Sequence, residues 1–599
     1  MRLLLSSIVV LATLVVALPA DTQQATPPNC APGRALLTIP EIKGQGGRLQ
    51  GTIILSDEQR SVPGTGNGTP CDAPQLRFFK GYSWAEPSRP WPSTGDALPG
   101  PTLRARVGDW IQLAFLNQVD VSKFPNTLDQ AETGKTDGCD QATAQRRNFP
   151  GQSVQIYPRN DSFPDCLHGS STANLHFHGT HTTPSTSGDN VLLFIRPALR
   201  QGGRLEPSDD FVMKQFADFF KWCDANGSPK QWAQMPPEWQ KRQMELLKQY
   251  DATAPYKGVN GALPASMKLW PRNEAQLNHQ PPLWPQYSVG AFPHCFHLPA
   301  YDPAKVKMGQ APGTHWYHAH KHGSTAMNVG NGMTGAFVIE GAYDDELRSF
   351  YKETPAHKNW GLQEQVLVIQ QLSSGLNLLS ASKFGNPAPL SVNGRLAPLL
   401  TMKPNQVQLW RIVNGAQRTF VQFVNAPQSK RTAALGQVAW RQIAQDGVQF
   451  RFKNYERFGG VNASFNLAAA NRADLLVRAP AAEGDYNIQV IQSVSDLPAG
   501  TPAPLLTVRV RKDTKPIEPP MDFIEKEADF PKQPAFLDDI RDPVLTKRQL
   551  TFNSLPFVDR GHVSRILGDP KTGKGVMPRH EINNKLFSDH TVDQTMILD

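Results

Sequence analysis

The sequence predicts an all-β chain made of repeated β-sandwich domains, and three observations carry that expectation. Apolar and polar residues alternate over short runs such as LRARVGDWIQLAFLN at Leu103–Asn117, the period of strands with one buried face. The 52 prolines and 46 glycines punctuate the chain closely, which favours many turns over long helices. One segment also recurs: Gly108-Asp109 corresponds to Pro404-Asn405, Ile111-Gln112-Leu113 to Val407-Gln408-Leu409, and Leu116 to Ile412. Each copy ends at an asparagine, Asn117 and Asn414, as repeated sandwiches would.

Taken in order, Arg2, the apolar run Leu3–Leu18 and Pro19-Ala20-Asp21 read as a secretory signal over residues 1–20. An uncleaved anchor is the alternative, although the run is short for a membrane span, and no other stretch is apolar enough to cross one. Export to the periplasm or the extracellular space is therefore expected. All six cysteines, Cys30, Cys71, Cys139, Cys166, Cys223 and Cys295, precede His318. An even count in an exported chain suggests disulfides, and pairing neighbours (30 with 71, 139 with 166, 223 with 295) is the simplest connectivity. Asn67, Asn160 and Asn462 open N-x-Ser/Thr sequons, which matter only in a eukaryotic host. The net charge of +8 is spread along 599 residues without a Lys/Arg block, so nucleic acid is not an expected partner.

A first domain is expected over 33–345, opening with the strand-like ALLTIPEI, LQGTIIL and QLRFFKGYSW. Residues 200–312 interrupt it as a partly helical insertion. There Ser208 could cap a helix with Val212, Phe216, Phe219, Phe220 and Cys223 on one side, and an amphipathic segment follows from Pro237 to Tyr250. The strand pattern is expected to resume at His315 and close at Ile339. A second domain over 346–511 contains Asn393-Gly394, a tight-turn signal. A Pro-, Lys- and Asp-rich linker is expected at 512–545. A third unit, 546–599, repeats Val392-Asn393-Gly394-Arg395-Leu396 as Ile582-Asn583-Asn584-Lys585-Leu586 and is expected to be incomplete at Asp599.

The chemistry lies in two histidine pairs, His176-Phe177-His178 and His318-Ala319-His320. On strands, period 2 puts both imidazoles of a pair on one face, and two such strands side by side would converge four nitrogens. Imidazole clusters suit copper, zinc, iron or nickel, with copper(II) bound most tightly. His-x-His pairs also occur in cupins, which need a nearby Glu where Thr182 and Thr183 stand here, and in barrels, which need alternating helices. His181, His315 and His322 flank the pairs and suit supporting or surface roles. His294-Cys295-Phe296-His297 superficially suggests a blue-copper site, but a Cys295–Cys223 disulfide is the better reading.

The stretches LHFHGTHTTPSTSGDN and GTHWYHAHKHGSTAMNVGNGMTGAFVIEG resemble the first two copper-binding motifs of the multicopper oxidases, a laccase-like family of three cupredoxin (plastocyanin-like) domains. PGPTLRARVGDWIQLAFLN, AQDG, NRADLLV and INNKLF are similar to further segments of that family. The resemblance implies tandem cupredoxin-like Greek-key sandwiches. It makes His176 a type 2 copper ligand, has His178 and His318 share one type 3 copper, and gives His320 to the other. It places Asp189 where the family carries an acid that assists proton delivery, although Ser-Gly-Asp-Asn also suits a plain turn. It implies dioxygen as oxidant, an unidentified reducing substrate, and four-electron reduction to water. The family's type 1 copper motifs have no counterpart in these 599 residues. The chain as it stands is therefore expected to be inactive alone, and a non-catalytic exported copper-binding or assembly protein is the alternative.

Overall fold

A computed structural model describes residues 30–63, 71–89, 91–92, 95–124, 171–181, 193–252, 269–280, 282–304, 309–321, 324–352, 361–372, 389–417, 419–424, 436–458, 461–494, 500–511, 515–517, 519–537, 547, 549–555 and 579–582. The signal segment, Asn67, Cys139, Asn160, Cys166, Asp189 and His322 lie outside the described residues.

The first sandwich is built from β1 (Glu41–Lys43), β2 (Arg48–Gln59), β3 (Gln75–Ser83), β4 (Gly100–Arg106), β5 (Trp110–Asn117), β6 (His176–His178), β7 (Ala291–His297), β8 (Gly313–His318) and β9 (Thr334–Glu340). One sheet runs β1-β4-β9-β8-β6 and the other β7-β5-β2-β3. Between them Phe79, Phe115, Phe177, Phe337 and Tyr317 are fully buried. Tyr317 stacks on Phe79 with ring centroids 5.7 Å apart and donates its hydroxyl to the Pro101 carbonyl at 2.8 Å. Gly108, at φ +97°, makes the corner between β4 and β5 that the sequence placed at Gly108-Asp109.

β5 is covered on both faces, which explains its nearly unbroken apolar run IQLAFLN. Its outward face lies under α1 (Asp209–Asn226), and its one buried polar side chain there, Gln112, donates to Asp224 Oδ1 at 2.7 Å and accepts from Gln50. Ser208 caps α1 by accepting from the Phe211 amide, and Val212, Phe216, Phe219, Phe220 and Cys223 are its buried residues, as the spacing predicts. α2 (Pro237–Ala252) buries Trp239, Leu246 and Leu247. A third helix, α3 (Leu269–Leu277), falls in proline-rich text that carried no helical signal.

The structure corrects the expected limits of the insertion. β7 pairs antiparallel with β5 along its whole length, Ala291↔Leu116 to His297↔Trp110, so the sandwich resumes well before His315. Pro293 hid the strand; it is tolerated because β7 is an edge strand. Cys30 and Cys71 are disulfide-bonded, as neighbour pairing expected. Cys223 and Cys295 are not bridged: they are buried thiols hydrogen-bonded to one another between α1 and β7. Asn462 is a poor glycan acceptor, being 6% exposed with its side-chain oxygen accepting from the Trp440 amide at 2.9 Å.

The second sandwich is centred on β10 (Gln363–Gln370), β11 (Val407–Asn414), β12 (Thr419–Val424), β13 (Ala439–Gln445), β14 (Arg472–Arg478), β15 (Gly484–Val494) and β16 (Ala503–Val510). One sheet has β10-β11-β14-β13 at its centre, the other β16-β15-β12. Asn393 (φ 50°) and Gly394 (φ 79°) form the predicted two-residue turn, with Val392 opposite Arg395. The repeated asparagines do the same work in each copy. Asn117 donates to the Ser171 and Ile195 carbonyls, and Asn414 to those of Thr419, Leu467 and Ala468, tying loop backbone to the end of a strand. Part of the expected 512–545 linker packs instead as a strap. Ile517, Met521, Phe523, Ile524 and Phe530 are buried against Tyr343, Leu347 and Tyr351, because their apolar area outweighs the surrounding Pro and Lys. Phe552–Leu555 pairs antiparallel with Arg579–Ile582.

A buried charge network joins the two sandwiches. Arg411 on β11 donates to Glu364 on β10, to Asp474 on β14 and to Asp344 on α4 (Ala342–Phe350) at 2.7–3.1 Å. Thr314 on β8 donates to the other Asp474 oxygen. Arg104 on β4 bridges Glu41, Glu340 and Glu364. The Arg411 and Arg104 guanidinia hold Glu364 down to about 2, whereas burial pushes Asp474 up to about 6 despite Arg411 and Thr314.

Two outcomes follow from this packing. A methyl group at Gly335 would run into the ring of Tyr317 on the neighbouring strand. Gly335→Ala should therefore destabilise the chain by about 1–3 kcal/mol or more in urea unfolding, and an unchanged midpoint would contradict the packing described. Asp474 holds its proton more tightly folded than unfolded, so its contribution is favourable below about pH 4 and is lost as pH rises to about 6. Wild type should lose roughly 3 kcal/mol relative to Asp474→Asn across that window; parallel pH profiles for the two proteins would refute the assignment.

Candidate metal centre

β8 lies between β9 and β6, and its register with β6 sets His318 opposite His176, Tyr317 opposite Phe177 and Trp316 opposite His178. Alternation sends Phe177 and Tyr317 into the core and the histidines to the other face. One ring nitrogen from each of His176, His178 and His318 lies within 4.8 Å of the other two. His320 follows the end of β8; its amide donates to Asn174 Oδ1 at 2.8 Å, and its ring lies 4.9 Å from that of His176 and 5.4 Å from that of His318. Both sequence pairs thus meet at one place.

The His178 and His318 rings are held neutral. Burial, with smaller contributions from the Arg472 guanidinium and the neighbouring histidines, pushes His178 down to about 3. Burial likewise holds His318 well below the usual histidine range. His318 Nδ1 lies 2.9 Å from the Ala319 carbonyl, which assigns that nitrogen as the N–H donor and leaves Nε2 as the lone pair. Nε2 sits 3.5 Å from His178 Nδ1, too long for a useful hydrogen bond and suited to two lone pairs sharing one ion. Trp316 stacks on His318, with centroids 4.1 Å apart, and fixes its plane.

The other candidates do not join this cluster. His294 packs on Phe177 and Phe292, His297 sits at the exposed end of β7 against Trp110, and Cys295 faces α1. A His294-Cys295-His297 copper site is therefore excluded by alternation along β7. His181 donates its amide to Gln310 Oε1, and His315 is 1% exposed with Nε2 3.0 Å from the Ala311 carbonyl, which places both beside the cluster. Residues that the sequence reading passed over are Trp316, Asn174 and Arg472, none of which lies in a metal-ligand pattern.

No family model matches the sequence. Among curated proteins the chain is 28% identical over 178 residues to the multicopper oxidase mco of Staphylococcus haemolyticus, covering 29% of this chain and 34% of that protein. It is 30% identical over 117 residues to the multicopper oxidase mco of Staphylococcus aureus, covering 19% and 24%. The matched region thus spans about a third or less of the length of these relatives. Among solved structures, a multicopper oxidase from Campylobacter jejuni, described as a metallo-oxidase, aligns over 95% of this chain and 77% of its own at 13% identity and a TM-score of 0.44. A laccase from Pediococcus acidilactici aligns over 94% and 73% at 13% identity and a TM-score of 0.43. Among the described residues no helix is long and apolar enough to cross a membrane. Over these segments the chain is similar to curated multicopper oxidases, and the strands that carry His176, His178 and His318 meet within its first sandwich.

Proposed function

We propose that the chain carries the first-domain half of an oxygen-reducing copper centre, with His176, His178, His318 and His320 as ligands. The observation that carries this reading is the convergence of three ring nitrogens within 4.8 Å from two antiparallel strands. The donors fit copper: they are imidazoles, burial lowers the basicity of His178 and His318, and Nε2 of His318 is left as a lone pair by its Nδ1–H···O contact. Bound copper would supply the one-electron steps that couple oxidation of a reducing substrate to the reduction of dioxygen to water.

The chain's own residues bind and orient. β6 and β8 fix the spacing of His176, His178 and His318, Trp316 holds the plane of His318, and Asn174 holds the backbone of His320. In this proposal His176 is the type 2 ligand, His178 and His318 face one type 3 copper, His320 faces the other, and Asp189 delivers protons. The division into a first domain over 33–345, a second over 346–511 and a third unit from 546 belongs to the same proposal, as does export. The Cys30–Cys71 disulfide supports an oxidising compartment.

Metal-free chain should take up Cu(II) without an intense blue band, and His318→Ala should weaken that uptake by more than ~10-fold, since even an outer partner of a ligand is worth about 10–100-fold. Equal uptake by wild type and His318→Ala would sink the assignment. Strong blue absorption would show that a thiolate ligates the metal after all.

A further inference from the structure

The second sandwich holds no histidine pair, yet it presses directly on the strand and corner that carry two of the proposed ligands. We propose that Arg472 and the Asp446–Gly447 turn of the second sandwich are positioning elements for the metal centre, clamping the His315 ring against the His178–Gly179 corner. The inference rests on the ligand assignment above and names what sets its geometry.

The clamp is built from close approaches. Gly447 (φ +78°) lies over the His315 ring so tightly that a Cβ there would fall 2.5 Å from Cε1 and 2.9 Å from Nε2. On the other side Gly179 (φ +84°) follows His178, and a Cβ there would fall 2.8 Å from His315 Nδ1 and 2.9 Å from an Arg472 guanidinium nitrogen. Gly313, which opens β8, meets Gly447 backbone in the same way, at 3.0 Å. Three glycines from three segments thus let two sandwiches close on one imidazole, and larger residues would hold them apart.

Arg472 fastens this contact. Its guanidinium donates to the Thr314 carbonyl on β8 at 3.2 Å, to the Asp446 carbonyl at 2.8 Å and to the Ala470 carbonyl at 3.0 Å, with the Asp446 carboxylate 3.3 Å away. The side chain is only 4% exposed, so these bonds are shielded from water. A planar fork can reach carbonyls of both sandwiches at once, which a lysine ammonium cannot do in the same geometry. On the far side Gln310 completes the corner, donating to the Gly179 carbonyl at 3.4 Å while accepting from the His181 amide at 2.8 Å. His178 cannot shift along β6 without moving Gly179, and Gly179 is backed by His315 and Arg472. Arg472 acts on the site through the Thr314 carbonyl and the packed His315–Gly179 corner, so it is a positioning residue.

The test compares Arg472→Lys, which keeps the charge and loses the fork, with Gly447→Ala, which keeps the fork and adds a methyl group against His315. Cu(II) affinity by chelator competition, the copper EPR spectrum and the unfolding midpoint of the metal-free protein are measured on the full chain. Both variants should bind Cu(II) about 10–100-fold more weakly, with altered hyperfine splitting. A merely structural role would lower the midpoint and leave affinity and spectrum as in wild type. That result in either folded variant overturns the proposal, and should one variant fail to fold, the other decides. Wild-type protein that binds no copper, or binds it unchanged in His318→Ala, overturns instead the ligand assignment on which this inference rests.

Discussion

The buried Arg411 guanidinium is the interaction on which the arrangement depends. It sits on the second sandwich yet reaches carboxylates from β10, β14 and α4, and through Asp474 it reaches Thr314 at the head of the histidine strand. A charge buried this deeply is tolerable only with its partners in place. Glu364 and Asp474 lie on the same sandwich as Arg411, and docking adds the Thr314 hydroxyl from the first sandwich to that cluster. Arg104 repeats the device from the first sandwich, sharing Glu364 with Arg411.

That fixed docking gives the histidine face its backing. β8 has core aromatics on one side, where Tyr317 stacks on Phe79, and Trp316 with the imidazoles on the other. Its N-terminal end is gripped by Asp474 and Arg472, and its C-terminal end carries His318 and leads to His320. The His318 ring is fixed by Trp316 and the Ala319 carbonyl, the His320 backbone by Asn174, and the Gly179 corner by its contacts to His315 and Arg472.

The helical insertion has a different part. It shields the outer face of β5 and β7, and the buried pair Cys223 and Cys295 lies beneath it, on the side of the sheet away from the histidines. The local motif His-Cys-Phe-His therefore misleads. Spacing suggested convergence, but on a strand Cys295 points opposite to His294, and the two never share a space.

Much of the architecture was legible in the sequence because it depends on local period and composition. Alternation marked β4, β5 and β8, the apolar stripe and Ser208 marked α1, Asn393-Gly394 marked its hairpin, and the repeated Asn117 and Asn414 marked equivalent corners. Period alone put His176 and His178 on one face, whereas His320 lies past the end of β8, outside any strand period. Tertiary structure decided the remainder, since it turns on long-range competition for burial. β7 exists despite Pro293 because an edge was open beside β5, and residues near 515–537 pack as a strap because β13, β14 and α4 left an apolar face to cover. The register that sets His318 against His176, and the glycine-lined closure around His315, depend on segments more than a hundred residues apart in the chain, a relation that no local pattern of residues encodes.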